Sequence, residues 1–200
     1  ERLKGMSASS VLIDIKSGDI LSLVSTPSYN PNNFVLGISH SDWNDLLNDE
    51  RKPLLNKATS GAYPPGSTFK MVVAVAALEL GLIGLSDKIF CAGYYELGSR
   101  KFHCWLKGGH GKLTLQEAIQ RSCDVYFYEL ARKVGVKRIG DMARRLGLGQ
   151  AYNLPLTSLS KGFVPTKKWK KERFGTSWLV GDTLNVGIGQ GFSLATPLQL

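Results

Sequence analysis

Two residue pairs in this 200-residue chain have the types and spacing to do chemistry together. Ser67 and Lys70 lie three positions apart in Tyr63-Pro64-Pro65-Gly66-Ser67-Thr68-Phe69-Lys70, just before an apolar run. Residues at i and i+3 share one face of a helix, so the amine can reach the hydroxyl. A serine hydroxyl is a weak nucleophile until a neighbouring base takes its proton, and a desolvated lysine is one such base. A helix N-terminus adds free N–H groups and a positive dipole end that favour a nascent oxyanion. Ser122 and Asp124 form the second pair, in Arg121-Ser122-Cys123-Asp124-Val125-Tyr126. A second serine can relay a proton, and a carboxylate two residues on can orient a lysine or a substrate. Taken alone, Ser-x-x-Lys also describes an N-capping serine followed by a surface lysine.

The elements around these residues are well marked. Met71 to Leu78 is apolar all round, the pattern of a buried helix, and Gly81 suits its C-terminal end. Thr114-Leu115-Gln116-Glu117 reads as a capping box opening a short helix. A second helix runs from Val125 to Val134 and stops at Gly135, so Ser122 and Asp124 fall at a helix junction. Val136 to Leu146 is amphipathic and reads as a further helix. Val11–Ile15 and Ile20–Val24 alternate about Lys16-Ser17-Gly18-Asp19, a hairpin pattern. Tyr29 to Asn33 reads as a loop, and Ser41 to Leu47 as a short helix opened by Ser41 or Asp42. Residues 149 to 180 show little periodicity and read as a long excursion. Asp182 and Asn185 line a cleft or turn the chain, with the turn favoured.

The paired motifs resemble those of the penicillin-binding proteins and serine β-lactamases, whose signature joins S-x-x-K, S-D-N and K-T-G. Ser67-x-x-Lys70 matches the first and Ser122-x-Asp124 the second, with Asp where many relatives carry Asn. The resemblance extends along nearly the whole chain. It includes Val11 to Tyr29, Asn56-Lys57-Ala58-Thr59, and Gly187-Ile188-Gly189-Gln190-Gly191 with Thr196-Pro197-Leu198-Gln199-Leu200. It resembles in particular the class B transpeptidases of the penicillin-binding protein 2 type, which serve cell elongation. The resemblance implies an α/β (α+β) fold of the penicillin-binding protein/serine β-lactamase-like transpeptidase kind, an antiparallel sheet with a mainly helical subdomain. It also implies one partial transpeptidase domain over residues 1–200, ending before the K-[ST]-G motif and separated from an N-terminal membrane anchor and a non-catalytic module.

The implied activity is D,D-transpeptidation of peptidoglycan stem peptides. Ser67 is the nucleophile, Lys70 the base, Ser122 the proton relay and Asp124 the orienting group. β-Lactam antibiotics would acylate Ser67. Implied partners are a glycosyltransferase and membrane proteins of the elongation complex, on the periplasmic face of the bacterial inner membrane. Two other readings are open: a serine β-lactamase or β-lactam sensor, and a non-catalytic, zinc-stabilised interaction module.

Cys91, Cys104 and Cys123 are the chain's three cysteines, and His110 lies between the last two. Three thiolates and an imidazole would complete a Cys3His zinc site of structural kind. A disulfide between Cys91 and Cys104, plain burial of small apolar side chains, and ligand sets using His103 or Asp87 are the alternatives. Some relatives of the penicillin-binding protein 2 type bind zinc in this region. Catalysis itself implies no cofactor.

Composition fits one folded core, with 43% hydrophobic residues. The excess of 25 basic over 16 acidic residues gives +9, which suits an acidic glycan precursor or an anionic surface. Lys167-Lys168-Trp169-Lys170-Lys171 is a charge run with an aromatic in it, yet no nucleic-acid motif accompanies it, so it reads as a solvated face. Trp105, Trp169 and Trp178 read as core aromatics before peptide contacts. Uncharged apolar stretches reach about eight residues, against the ~20 needed to span a bilayer.

Overall fold

The computed structural model describes residues 2–3, 5–156 and 158–200, leaving out Glu1, Lys4 and Thr157. The backbone gathers into two compact units. The first comprises Glu1–Tyr63, Ala151–Lys161 and Ala195–Leu200, and the second Pro64–Gln150 and Gly162–Leu194. No described helix is long and apolar enough to cross a membrane.

The first unit is built on the expected hairpin. Strands β1 (Ala8–Ile13) and β2 (Ile20–Thr26) pair antiparallel from Ala8↔Thr26, with a bulge between Leu12 and Ile13. Asp14 closes the connection by accepting the backbone N–H groups of Lys16 and Ser17. Helix α1 (His40–Asn48) begins one turn-position earlier than expected, because Ser39 is its cap: the Ser39 hydroxyl accepts the Asp42 N–H. A 3-10 turn over Pro31–Phe34 replaces part of the expected loop. The segment around Asn56 is pinned by that side chain, whose Oδ1 accepts from the Ala58 and Thr59 amides.

The second unit is mainly helical. A 3-10 turn at Gly66–Phe69 runs directly into α2 (Lys70–Glu79). Two antiparallel ribbons follow: β3 (Ile89–Cys91) pairs with β6 (Gly111–Leu113), and β4 (Tyr94–Leu97) with β5 (Arg100–His103). Then come α3 (Leu115–Gln120), opened by the Thr114–Glu117 capping box, α4 (Asp124–Val134) and α5 (Val136–Arg145). Gly135 separates α4 from α5 at φ +80°, which an L side chain adopts only with strain. The core forms where α4 packs on α2, α5 and α7 (Val180–Gly187). Its centre is Val73, Tyr126, Phe127, Leu130, Ile139 and Leu184, all essentially inaccessible to water. The mixed helical and small antiparallel content agrees with the α+β expectation.

One expectation fails here. The region of 149–180 contains a helix, α6 (Lys167–Phe174), capped by the Thr166 hydroxyl and ended by Gly175 at left-handed φ. Its sequence is almost wholly polar, so no hydrophobic period marks it. Its charge run is not uniformly solvated either. Lys170 is buried and pairs with Asp182 at 2.5 Å. Trp169 packs against Phe163, Phe174 and Phe192. Asp182 also accepts the Leu179 N–H at the start of α7, so it caps a helix and neutralises a lysine.

The second unit carries 18 of the 25 Lys and Arg and 9 of the 16 Asp and Glu. Its formal charge is therefore +9, and that of the first unit is zero.

The Tyr126 hydroxyl is buried with no hydrogen-bond partner among the described residues, and burial pushes its pKa up to about 12. An unsatisfied buried hydroxyl costs roughly 1–3 kcal/mol. Tyr126→Phe is therefore expected to leave the fold intact and to raise stability by about 1 kcal/mol in urea denaturation. A loss of stability of that size would mean the hydroxyl has a partner.

Candidate active site

The 3-10 turn decides how Ser67 and Lys70 meet. With three residues per turn, positions i and i+3 eclipse, so Ser67 at the start and Lys70 at the end point the same way. The turn is held from outside. Gly66 donates its N–H to the Gly189 carbonyl at 2.9 Å. A Cβ on Gly189 would lie 2.1 Å from the Gly66 oxygen, so the glycine-rich segment lies flat against the turn only because it has no side chain there. Ser67 is exposed, whereas Lys70 is 2% exposed.

Lys70 Nζ is surrounded by three oxygens: the Ser122 carbonyl at 2.8 Å, the Ser122 hydroxyl at 3.0 Å and Asp124 Oδ1 at 2.8 Å. The Phe127 ring lies 5.6 Å from the ammonium. All three N–H donors of an ammonium are thereby used. Ser122 supplies two of these contacts because its backbone is left-handed, with φ +51°. That conformation costs a non-glycine residue on the order of 1–2 kcal/mol. It turns the carbonyl and the hydroxyl of one residue toward the same ammonium. Strain of this kind persists only where the surroundings impose it.

The Ser122 hydroxyl lies 2.8 Å from Ser67 Oγ. The Lys70 backbone N–H donates to the Ser67 carbonyl, but among the described residues the two side chains share no direct hydrogen bond. Contrary to the expectation from i, i+3 spacing alone, the link runs Ser67–Ser122–Lys70. The lysine's bonds to Ser122 and Asp124 draw its amine toward α4. Asp124, in the first turn of α4, gives its other oxygen to the Trp105 N–H at 3.0 Å. The indole Nε1 of Trp105 donates to the Arg121 carbonyl at 3.0 Å. Trp105 is 61% exposed, unlike a core aromatic, and sequence spacing carried no sign of its contacts.

The cysteines converge below this network. Ligand atoms of Cys91, Cys104, His110 and Cys123 lie within 4.8 Å of one another, and His110 Nδ1 is 3.6 Å from both Cys91 and Cys104 Sγ. The strand register explains the meeting. Cys91 is paired with Gly111, next to His110, and Cys104 is drawn in by its N–H to the Gly93 carbonyl. Cys123 occupies the cap position of α4. Gly109 permits the fold-back, since a Cβ there would meet the Cys91 oxygen at 2.3 Å. All three thiols are free and buried.

Burial lowers the pKa of His110, helped by the Arg121 charge, which favours the neutral imidazole a metal needs. Burial also pushes the Cys123 thiol far up, so its thiolate would need a positive ion beside it. Around a tetrahedral zinc with Zn–S near 2.3 Å, neighbouring sulfurs lie about 3.8 Å apart. The observed cluster, with ligand atoms within 4.8 Å of one another, is somewhat wider than that, and its donor set fits zinc. His103 and Asp87 are not part of it: Asp87 instead accepts the Gly84 N–H.

The family pattern for the penicillin binding protein transpeptidase domain matches residues 8–200. The chain belongs to the penicillin-binding protein transpeptidase family. It is 44% identical over 200 residues to peptidoglycan D,D-transpeptidase MrdA of Escherichia coli K12, covering 99% of this chain and 32% of that protein. It thus spans about a third of that curated relative. Among solved structures it resembles Pseudomonas aeruginosa PBP2 in complex with WCK 5153, with a TM-score of 0.93 and 41% identity over 98% of this chain and 45% of that one. It also resembles PBP2 from a complex with MreC of Helicobacter pylori, with a TM-score of 0.91 and 40% identity over 96% of this chain and 36% of that one.

In this site Asp124 is the only carboxylate bonded to Lys70 among the described residues, and removing it leaves a buried ammonium without a counter-charge. Breaking a buried pair from one side costs about 3–5 kcal/mol. Asp124 is 16% exposed, so Asp124→Ala is expected near the low end, about 3 kcal/mol, in chemical denaturation. Asp124→Asn keeps an oxygen for Lys70 and should lose less than half as much.

Proposed function

We propose that this chain is the acylating part of a peptidoglycan D,D-transpeptidase of the cell-elongation type, acting on the periplasmic side of the inner membrane. The observation that carries the reading is the hydrogen-bonded line from exposed Ser67 through Ser122 to buried Lys70. With Lys70 deprotonated and both hydroxyl rotors reversed, the Ser67 proton moves to Ser122 as the Ser122 proton moves to Lys70 Nζ. Ser67 Oγ then attacks the penultimate carbonyl of a D-Ala-D-Ala stem. The oxyanion is held in part by the Ser67 backbone N–H, in the first turn of the 3-10 segment. The same line returns a proton to the departing D-alanine through Ser122. An amine of a neighbouring stem attacks the acyl-enzyme and closes the cross-link. Asp124 keeps Lys70 on this line throughout. β-Lactams imitate the stem and leave acyl-Ser67.

We further propose that Cys91, Cys104, His110 and Cys123 hold a structural Zn2+. The ion would supply folding energy and positive charge for three buried thiolates, with no part in attack. A glycosyltransferase and elongation-complex membrane proteins are the proposed partners of the whole protein, in keeping with the MreC complex of the Helicobacter pylori relative. A β-lactamase or sensor reading differs in the fate of the acyl group, and no described residue near Ser67 stands out as a water-activating base.

Intact mass spectrometry after mixing the whole protein with a β-lactam tests the reaction. One adduct is expected on the parent and none on Ser67→Ala. Lys70→Ala should acylate at least ~100-fold more slowly, the low end for a positioned base. Rapid loss of the adduct to water would instead favour a β-lactamase.

Metal content tests the second proposal. About one zinc per chain is expected, and chelation should lower the melting temperature by several degrees, since zinc binding is coupled to folding. An unchanged melting curve after verified zinc removal would leave the cluster as plain buried thiols.

A further inference from the structure

We infer that Trp105 is a positioning residue for the acylation step, acting through Asp124. This rests on the proposed transpeptidase chemistry and deepens it.

Asp124 has two carboxylate oxygens and two jobs. Oδ1 holds Lys70, and Oδ2 accepts the backbone N–H of Trp105. The second bond fixes the rotation of the carboxylate, and so the direction in which Oδ1 pulls the ammonium. That ammonium is also bonded to the Ser122 hydroxyl, the step before Ser67. A shift at Asp124 is therefore passed to the nucleophile through three hydrogen bonds.

The N–H of Trp105 is placed by its own side chain. The indole Nε1–H reaches the Arg121 carbonyl, one residue before Ser122, and the indole packs edge-on to the His110 ring at 5.3 Å. Cys104, the preceding residue, is buried in the thiol cluster with Cys123. The segment 104–105 is thus stitched to the turn 121–124 at three points. These are the cluster, the indole and the backbone N–H.

Burial does not account for this tryptophan. With 61% of its surface exposed, the indole gains little from the hydrophobic effect, which scales with area removed from water. Its two N–H groups are what is used, and both go to the loop carrying Ser122 and Asp124. A phenylalanine would keep an aromatic ring beside His110 and lose the indole bond.

The test uses the intact protein and separates the binding constant for a chromogenic β-lactam from the acylation rate constant. Trp105→Phe is expected to lower the acylation rate constant about tenfold, with binding changed less than twofold and the melting temperature within a few degrees. A variant with β-(3-benzothienyl)alanine at position 105 replaces the N–H with sulfur at nearly constant shape, and should behave alike. In an Asp124→Asn background, where the amide no longer accepts from both Lys70 and Trp105, Trp105→Phe should cost less than threefold. Sites that act through one another are non-additive in this way.

The inference is overturned if Trp105→Phe weakens binding and spares the rate constant, which would make the ring a substrate contact. An equal tenfold loss in both backgrounds, or no loss in either, would overturn it as well. Failure of the parent protein to acylate would count against the transpeptidase reading itself.

Discussion

A lysine ammonium taken out of water sets the terms for the helical unit. An unpaired buried charge is costly enough that the chain must surround it with acceptors or discharge it. Here the acceptors come from one short stretch, Ser122 to Asp124, and each is supplied in an unusual way. Ser122 adopts a left-handed backbone to present two oxygens. Asp124 sits in the first turn of α4, where the helix dipole also favours its negative charge. The helices that bring these residues together are packed mainly by apolar faces, with ion pairs at the two ends of α2, Lys70–Asp124 to α4 and Glu79–Arg145 to α5. The polar network is small because the hydrophobic packing around it is extensive.

Much of this was legible in the residue pattern, and the reasons for the exceptions are physical. The Thr114–Glu117 capping box, the apolar run after Lys70 and the glycines at 81 and 135 are local signals, and each element lies where they put it. The meeting of Cys91, Cys104, His110 and Cys123 was legible only as a coincidence of residue types, because their spacings match no short motif. It is strand register and two close backbone approaches that join them. Helix α6 was invisible because its inward residues are Trp169 and a lysine, so no apolar period was present to find. The route from Ser67 to Lys70 is legible in part, since Ser122 reads as the relay while the spacing suggests a direct reach as well. Spacing along a helix says which side chains share a face, but not where a third group draws one of them away. Trp105 carried no signal, since its principal contacts are a backbone N–H and a carbonyl.

The ribbons beside the site show how little β structure can be made to serve. Two-stranded ribbons of three or four residues are marginal in water, and these bury few side chains, chiefly Cys91, Phe102 and Leu113. Their order comes from their ends. One ribbon is tied to the cysteine cluster, and the other leans on α4 through the Tyr95–Tyr128 and Phe102–Tyr128 ring contacts and the Tyr128 hydroxyl bond to the His103 carbonyl. Stability and site geometry are therefore linked at Cys123, flanked in sequence by Ser122 and Asp124.

The unequal division of charge has a kinetic meaning. With +9 in the helical unit and none net in the other, the helical unit alone carries the chain's net positive field. At physiological ionic strength such a field fades over about 8 Å, too short to draw solutes from bulk but long enough to bias their last approach. Anionic molecules arriving by diffusion meet the larger positive charge at the unit that holds Ser67, and dilute buffers lengthen that reach. Ionic strength thus acts on encounter before it acts on any bond in the site.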